Sequence, residues 1–151
     1  MKNMAVLIDT NVMLDWFLAR SPFAGQAGRI LELCINGDLD GYLASHTIIN
    51  TFYITRKEKS IEERKRFLLM LCQKFAIVGI DKQMLIHALR NDKWYDLEDG
   101  LQIQCAITAN LDYIVTRDPK GFSDSSIKAL SPEAFLEIWD ASGYDNRRSP
   151  A

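Results

Sequence analysis

The sequence lacks several features that would place it in a specialised class. Its three cysteines, Cys34, Cys72 and Cys105, are odd in number, far apart and without a C-x-x-C pair, which argues against a disulfide framework or a zinc site. We expect each thiol to be a small buried hydrophobic side chain. No apolar run approaches the roughly 18 residues that span a membrane, and the first residues lack a signal-peptide pattern. These absences predict a protein of the reducing cytoplasm.

An excess of one charge sign is also missing. The chain carries 18 Lys and Arg against 20 Asp and Glu, a formal net charge of −2. A whole-molecule positive field for nucleic acid is therefore excluded, although a local basic patch or a bound cation can still supply positive charge. The sequence has no G-x-G-x-x-G, P-loop or G-x-S-x-G motif. His46 and His87 each stand alone in a predicted helix, so we expect surface or packed roles for them.

The sequence does have enough apolar residues for a core. It is 48% hydrophobic and 25% charged, as in ordinary globular proteins, and its length suits one domain, which we assign to residues 1–143. Residues 144–151 are polar and are predicted to form a flexible C-terminal tail. Helical patterns alternate with short apolar runs at 4–8, 41–44, 75–80, 113–116 and 127–130. This alternation predicts an α/β fold with three layers and a central parallel sheet of four or five strands.

Capping residues mark the predicted helix boundaries. The first helix should follow Asp9 and run to about Arg20. Residues able to cap later helix N-termini are Ser21 (with Pro22), Ser45, Ser60 (with Glu63), Asp81 and Ser131. Residues able to end helices are Gly37, Asn110 and Gly143. The helix after Ser45 is expected to turn an apolar side inward, formed by Ile48, Ile49, Phe52 and Tyr53.

Two aspartates follow apolar strands. Asp9 ends the run at 4–8, and Asp118 comes just after the strand predicted at 113–116. Because the carboxyl ends of parallel strands meet at one edge of a sheet, we expect both acids at the same edge, where ligands bind in open α/β folds. The alternative for either residue is a loop or helix-cap aspartate.

A third acidic feature is the segment D-L-E-D at 96–99, which opens a helix predicted over 97–109. Asp96 and Asp99 are three residues apart and so lie on one side of this helix. That side continues into positions expected in the core: Ile103, Ala106 and Ile107. An inward carboxylate is costly unless it has a partner, which favours a functional role for Asp99. Glu98 points elsewhere and is expected only to favour the helix N-terminus.

Carboxylates that gather at one place require a cation, because like charges at short range repel and raise each other's pKa. Mg²⁺ and Mn²⁺ are hard ions that prefer carboxylate and water oxygens. We therefore expect Mg²⁺ or Mn²⁺ as the cofactor of this cluster.

Three short motifs carry a family resemblance. L-I-D-T-N (7–11), D-L-E-D-G-L-Q (96–102) and Y-I-V-T-R-D (113–118) resemble the PIN-domain ribonucleases, and most closely the small bacterial VapC-type toxins of toxin–antitoxin pairs, in the branch that contains D-x-E-D. The resemblance covers roughly residues 4–140. It implies a PIN fold, metal-dependent cleavage of RNA, an antitoxin that reaches into the acidic cleft, and often a homodimer.

The resemblance also implies roles for single residues. By motif match, Asp9, Asp99 and Asp118 would be catalytic metal ligands, and Asp96 a further ligand of the D-x-E-D branch. Polar residues that orient ligands or water would be Thr10, Asn11 and Thr116. Many members carry a Glu about where this chain has Asn50. An Asn carbonyl is a weaker, neutral ligand, so a four-acid site becomes one of three acids, with Asp96 as the further candidate, and the number of metals and the activity depend on this change.

Further candidates concern substrate and partner. Basic residues that would hold the RNA backbone are Arg20, Arg56, Lys57, Arg117 and Lys120; otherwise they form an ordinary solvated surface. Aromatic residues that would form a partner surface are Trp16, Phe17 and Phe23; otherwise they pack in the core.

Two other functions remain open at this level. One is a PIN fold that has lost turnover and binds RNA or protein. The other is a different α/β enzyme, either a phosphatase of the haloacid-dehalogenase type or a phospho-receiver. A phosphatase of the haloacid-dehalogenase type requires a second Asp two residues after the nucleophile, where this chain has Asn11. A phospho-receiver requires paired acids after the first strand, where only Asp9 is present. It also requires an acceptor Asp after the third strand, where Asp81 is a better helix cap.

Overall fold

The computed structural model describes residues 2–143. Within this range the chain forms five strands and seven α-helices. The strands are β1 (Ala5–Ile8), β2 (Asp40–Ala44), β3 (Ala76–Val78), β4 (Tyr113–Val115) and β5 (Lys128–Leu130). The helices are α1 (Thr10–Phe17), α2 (Ala24–Ile35), α3 (Ser45–Ile54), α4 (Ile61–Lys74), α5 (Lys82–Arg90), α6 (Leu97–Thr108) and α7 (Pro132–Ser142). A 3₁₀ turn spans Pro119–Phe122.

The five strands form one parallel sheet in the order β3-β2-β1-β4-β5. This confirms the predicted α/β class and parallel sheet. β1 is central, with all four residues buried, and it pairs with β4 so that Ile8 lies beside Val115. The third strand is shorter than the predicted 75–80: it lies at the sheet edge and spans three residues, two of them exposed.

Both faces of the sheet are covered, because successive strand residues point to opposite sides. On one face Val6 and Ile8 pack with residues of α1, α2, α4 and α7, including the buried Trp139. On the other face Leu7 packs with residues of α5 and α6, including Ile103. The predicted three layers are therefore confirmed. No helix within residues 2–143 is long and apolar enough to cross a bilayer.

Most predicted helix boundaries are confirmed. Predicted N-caps that accept a backbone N–H are Ser60, Asp81 and Ser131. Predicted stops that adopt positive φ after a helix are Gly37, Asn110 and Gly143, the conformation that ends helices.

Three predicted boundaries are wrong. α1 ends at Phe17, before the predicted Arg20, because the chain turns at Ala19 with φ of 51°. Ser21 does not cap α2, which begins at Ala24 after a turn in which two backbone N–H groups donate to the Arg20 carbonyl. Ser45 is the first residue of α3 rather than its cap, because β2 runs directly into the helix at Ala44.

The predicted apolar side of α3 is only half correct. Ile49 and Tyr53 are 58% and 62% exposed, although Ile48 and Phe52 do pack against the core. The fully buried stripe of this helix consists of Thr47, Thr51 and the following Thr55. Hydrogen bonds satisfy two of these hydroxyls in the interior: Thr55 Oγ1 donates to the Thr51 carbonyl at 2.7 Å, and Thr47 Oγ1 lies 2.9 Å from Thr10 Oγ1. The Thr51 hydroxyl is buried without a hydrogen-bond partner among the described residues.

Two burial predictions elsewhere are wrong. Cys72 is exposed, whereas Cys34 and Cys105 are buried as expected. Ile107 is 43% exposed although the preceding Ala106 is fully buried, so it falls outside the inward side of α6. The tail predicted at 144–151 lies outside the described residues, and the assignment of residues 1–143 to one domain stays a prediction.

Candidate active site at the carboxyl edge of the sheet

Asp9 is the most firmly held of the acids. It is the N-cap of α1, directly after β1, and is almost completely buried. Its Oδ1 accepts hydrogen bonds from Thr10 N at 2.8 Å and from Gln102 Nε2 at 3.2 Å. Its Oδ2 accepts from Thr116 Oγ1 at 2.8 Å. The carboxylate orientation is therefore fixed by three elements at once.

The bonds around Asp9 extend into a network that joins three helices. Thr10 Oγ1 in α1 lies 2.9 Å from Thr47 Oγ1 in α3. Gln102 Nε2 in α6 donates to the same Thr47 oxygen at 3.1 Å. Sequence reasoning assigned no role to Gln102 or Thr47. The signal for Gln102 was present, since it lies three residues after Asp99 on the same side of α6 and closes the D-L-E-D-G-L-Q motif.

Asp118 is joined to Asp9 through one threonine. Thr116 Oγ1 donates to Asp9 Oδ2 and accepts from Asp118 N at 3.1 Å. A single hydroxyl therefore bridges the carboxylate of Asp9 and the backbone of Asp118. Asn11 Oδ1 lies 3.5 Å from Arg117 N, a second contact between the start of α1 and the segment after β4. Asp9 and Asp118 therefore lie at the same sheet edge, as their positions after β1 and β4 predict.

Asp99 and Asp118 face each other across Gly121. A Cβ added to Gly121 would lie 3.0 Å from Asp99 Oδ2 and 3.3 Å from Asp118 Oδ2. Both carboxylate oxygens therefore border the same small space, and that space is open because residue 121 has no side chain.

The pKa of Asp99 reports this crowding. Burial, followed by the charges of the neighbouring acids, raises the pKa of Asp99 to about 7. The acids that contribute are Asp96, Asp9, Glu98 and Asp118. The pKa of Asp9 is raised chiefly by burial, while its bonds from Thr116 and Thr10 lower it. Asp99 therefore lies where the charges of the other acids meet.

Asp96 lies at the start of α6 as predicted, whereas Glu98 differs from its predicted placement. Asp96 is exposed and caps α6, its Oδ1 accepting from Asp99 N at 2.9 Å, so its carboxylate has a structural role whether or not it binds metal. Glu98 does not point away from the other acids: it is half-buried, and its charge raises the pKa of both Asp9 and Asp99. Helical phase failed for Glu98 because a long side chain in the first turn can reach past the helix end.

Replacing Asp99 by asparagine should stabilise the metal-free protein at pH 8 by about 2 kcal/mol. The folded-state pKa of about 7 exceeds that of an unfolded aspartate, so the native state binds a proton more tightly. Wild-type stability should therefore fall as pH rises from about 4 to 7, and the variant should lose most of this dependence. Urea unfolding at pH 5 and pH 8 in a chelator measures both effects. A variant less stable than wild type at pH 8 would contradict the prediction.

The basic candidates divide into two groups. Lys120 lines a cavity together with Asp96 and Asp99, so its charge is available beside the acids. Arg117 instead forms a 2.7 Å ion pair, Nε to Oδ2, with the buried Asp15, and Arg20 approaches Asp15 at 3.8 Å. These two arginines have a structural role, and their contact with RNA stays a prediction.

The remaining two basic candidates lie at the far end of α3. Arg56 Nη1 donates to the Tyr53 carbonyl at 2.7 Å, which caps the helix end, and Lys57 follows in the exposed turn. Thr47 marks the end of α3 that lies at the acids, so Arg56 is roughly 13 Å farther along the helix axis.

The predicted partner aromatics are shared between core and surface. Phe17 stacks on Phe67 of α4 with ring centroids 3.9 Å apart, and Trp16 packs against the same ring. Phe23 is exposed, with the Arg117 guanidinium 4.2 Å from its ring centre. Trp16 and Phe17 are therefore mainly packing residues, and a partner surface here stays a prediction.

Comparison with protein families settles the fold family of this chain. The PIN-domain family model matches residues 5–120, a span that contains Asp9, Asp99 and Asp118. The chain belongs to the PIN-domain family. Among curated proteins, no sequence matches this PIN domain.

Solved structures share the fold of this PIN domain at low identity. A toxin–antitoxin complex from Klebsiella pneumoniae matches with 22% identity and a TM-score of 0.63, covering 84% of this chain and 97% of that chain. FitAcB from Neisseria gonorrhoeae matches with 16% identity and a TM-score of 0.62, covering 85% and 98%. VapC20 from Mycobacterium tuberculosis, a sarcin–ricin loop cleaving toxin, matches with 13% identity and a TM-score of 0.58, covering 72% and 86%.

The acids of this PIN domain offer oxygen donors for a divalent cation. Within residues 2–143, no three His, Cys, Asp or Glu side chains stand close enough together to enclose a metal ion as they are. The donor chemistry nevertheless fits Mg²⁺ or Mn²⁺, since the converging groups are carboxylates. Burial and then the like charges around it raise the pKa of Asp99, and a bound cation would offset both effects. Asp9, Asp99 and Asp118 are the residues that would hold the ion.

Asn50 lies on α3, three residues after the Thr47 that joins the Asp9 network, and is half-buried. Its neighbour His46 is also half-buried, and burial lowers the pKa of its imidazole while the charge of Glu98 opposes this. A neutral amide and a largely neutral imidazole therefore occupy the start of α3 in this PIN domain. The negative charge of the cluster comes from α6 and from the strand ends.

Proposed function

We propose that this PIN domain is a Mg²⁺- or Mn²⁺-dependent endoribonuclease that hydrolyses RNA phosphodiester bonds. The observation that carries the proposal is the convergence of Asp9, Asp99 and Asp118 at the carboxyl edge of the sheet. Burial and then the charges of neighbouring acids, Asp9 and Asp118 among them, raise the pKa of Asp99, and Asp99 and Asp118 border the same open space at Gly121. Such a cluster suits an ion that activates water, and the similarity to toxin nucleases supports the same reaction.

The chain's own residues have distinct tasks in this proposal. Asp9, held by Thr116 and Gln102, would offer a fixed oxygen to the cation, and Asp99 and Asp118 would offer oxygens from the opposite side. When bound, the cation supplies a water of lowered pKa and neutralises charge on the leaving oxygen. Lys120, at the rim beside Asp99, would hold a phosphate of the substrate.

The purified chain should cut RNA in Mg²⁺ or Mn²⁺ and stop cutting in a chelator. Restoring either ion should restore the products, because the ion supplies the nucleophile. A gel of end-labelled RNA measures both steps. Cleavage that is unaffected by the chelator would contradict metal dependence, and complete absence of cleavage in both ions would contradict the enzyme assignment.

We also propose that the protein is the toxin of a type II toxin–antitoxin pair and acts in the cytoplasm. Support comes from the neighbouring structures, since one is a toxin–antitoxin complex and another is VapBC2 from Rickettsia felis bound to a promoter fragment. A ribonuclease without an inhibitor harms its cell, so a small antitoxin would be the partner; a homodimer is consistent with this proposal. Co-purification with the product of the adjacent gene separates a toxin from a housekeeping nuclease.

A binding module without turnover is the second candidate. Asn50 favours it, because a neutral amide stands where many PIN-domain ribonucleases have a glutamate. RNA bound in the presence of Mg²⁺ with no products would support this reading over the enzyme.

A further inference from the structure

A cavity of about 240 Å³ opens directly beside the acids. It lies between the segment before α6 and the 3₁₀ turn that carries Gly121. Trp94, Tyr95 and Lys93 line one side, and Lys120 lines the other. Asp99 belongs to its wall, so a ligand in this cavity touches the acidic cluster. None of the three residues of the first side was identified from the sequence.

The wall that carries Tyr95 is firmly anchored. Asn91 Oδ1 accepts from Lys93 N at 3.0 Å, and the Asn91 carbonyl accepts from Trp94 N at 3.2 Å. The Trp94 ring packs against Gly100 of α6, where an added Cβ would lie only 3.1 Å away. The turn is thus fixed at Trp94, and the next side chain projects from a rigid base.

Tyr95 itself takes no part in the packing, with 97% of its surface exposed. Exposed single aromatic residues are common, but this ring stands at the mouth of a cavity next to the acids. Aromatic rings in such places stack on nucleobases, and this is how unpaired nucleotides are held without pairing partners. The cavity is smaller than the about 300–1,000 Å³ of pockets for drug-sized ligands, which suits one planar base.

The charges at the cavity are mixed. The lining carries two lysines, Lys93 and Lys120, and three acids, Asp96, Asp99 and Asp124. The acids repel phosphate, so a neutral base is favoured over a phosphate inside the cavity. The lysines can bind phosphates as point charges, and Lys120 lines the cavity together with Asp99, so a phosphate held by Lys120 lies close to the acidic cluster.

We propose that this cavity binds an unpaired nucleotide beside the scissile phosphate, with its base stacked on Tyr95 and its phosphates on Lys93 and Lys120. The inference rests on the proposed ribonuclease function and names the side chains that would hold the base and its phosphates beside the acids. Bases in a duplex are stacked on one another and leave no free face for Tyr95.

Binding of a short single-stranded oligoribonucleotide that carries one 2-aminopurine tests this proposal, because stacking quenches its fluorescence. Binding is measured with the full chain carrying Asp118→Asn, so that the RNA is not cleaved during the measurement. Cleavage is followed in parallel with the same Tyr95 variants in a chain that retains Asp118. Tyr95→Ala should weaken binding about tenfold, whereas Tyr95→Phe should stay within about twofold, since the ring and not the hydroxyl stacks. Tyr53→Ala, at an exposed tyrosine of α3 outside the cavity, is the matched control and should bind as the parent does.

The lysines give an independent readout. Lys93→Ala or Lys120→Ala should reduce the slope of log affinity against log salt by about 0.7 each, the value for one phosphate of a single strand. Lys65→Ala on the exposed side of α4 should leave the slope unchanged.

The outcomes separate this inference from the proposed function. If the wild-type chain cleaves RNA but Tyr95→Ala binds within twofold of its parent, or Tyr95→Phe is as weak as Tyr95→Ala, the cavity assignment is overturned. If the wild-type chain neither binds nor cleaves RNA, the proposed function fails and this inference fails with it. Equal affinity for the single strand and for its fully paired duplex would also overturn the assignment.

Discussion

Asp9→Asn and Asp118→Asn should each reduce RNA cleavage by more than about 100-fold while the protein remains folded. Loss of a group that merely supports a metal ligand costs about 10–100-fold, so loss of a ligand itself should cost more. Asparagine keeps the shape of each side chain and removes its negative charge. Cleavage rates of a defined RNA in Mg²⁺, measured beside thermal unfolding, test both parts of this prediction.

The hydrogen bonds of Asp9 explain why the Asp9→Asn variant should fold. The amide oxygen of the new side chain can still accept from Thr10 N and Gln102 Nε2. Its amide nitrogen can donate to Thr116 Oγ1, because a hydroxyl can accept as well as donate. Asp140→Asn on α7 is a suitable control, since it removes an exposed acid that pairs with Arg29 at the surface. RNA cleavage that survives both site substitutions would refute the assignment of these acids.

Arg117→Ala should destabilise the fold by about 2 kcal/mol, or roughly 4–8 °C in Tm. Asp15 is only 1% exposed, and Arg117 Nε lies 2.7 Å from its Oδ2. Removing the arginine leaves a buried charge without its main partner. A buried charge left with no partner at all costs about 3–5 kcal/mol of stability. Arg20 remains at 3.8 Å and Arg117 is partly exposed, so the expected effect is smaller. Urea unfolding at pH 7 measures it.

Two further variants establish the cause. Arg117→Ala combined with Asp15→Asn should recover most of the loss, because the buried charge is then gone. Arg20→Ala should lower the free energy of unfolding by less than about 1 kcal/mol, because the pair between Arg20 and Asp15 is longer and more exposed than the pair between Arg117 and Asp15. Burial raises the pKa of Asp15, while Arg117 and Arg20 lower it, so the deficit of Arg117→Ala should shrink as pH falls and Asp15 becomes protonated. A double variant as unstable as Arg117→Ala would contradict this account.

The positions of the acids at the sheet edge were predictable because they depend on short-range patterns. Asp9 and Asp118 follow apolar strands, and the parallel sheet brings strand ends together. Asp99 follows from helical phase within α6. These inferences need only the period of each element and the order of strands and helices along the chain.

Contacts between distant segments were not predictable. Nothing near Arg117 in the sequence indicates that its charge is turned toward Asp15 of α1, so local sequence alone suggests a surface residue. Residue type alone suggests a solvent-facing position for Thr47 of α3, because threonine counts as polar, whereas hydrogen bonds from distant segments allow it inside. The exposed position of Tyr95 depends on how Trp94 packs on Gly100, which the local sequence does not reveal.

The hydrogen bonds between Asp9, Thr10, Thr47, Gln102 and Thr116 have a consequence for motion. They tie α1, α3 and α6 to β1 and β4 at one end of the sheet, and α1 and α6 lie on opposite faces. Short edge strands such as β3 have no comparable attachment, and regions with exposed backbone bonds and few buried contacts open first. We therefore expect transient local unfolding to begin at the edge strands and to reach the acids last. The arrangement of the acids should then be preserved while the edges of the domain open.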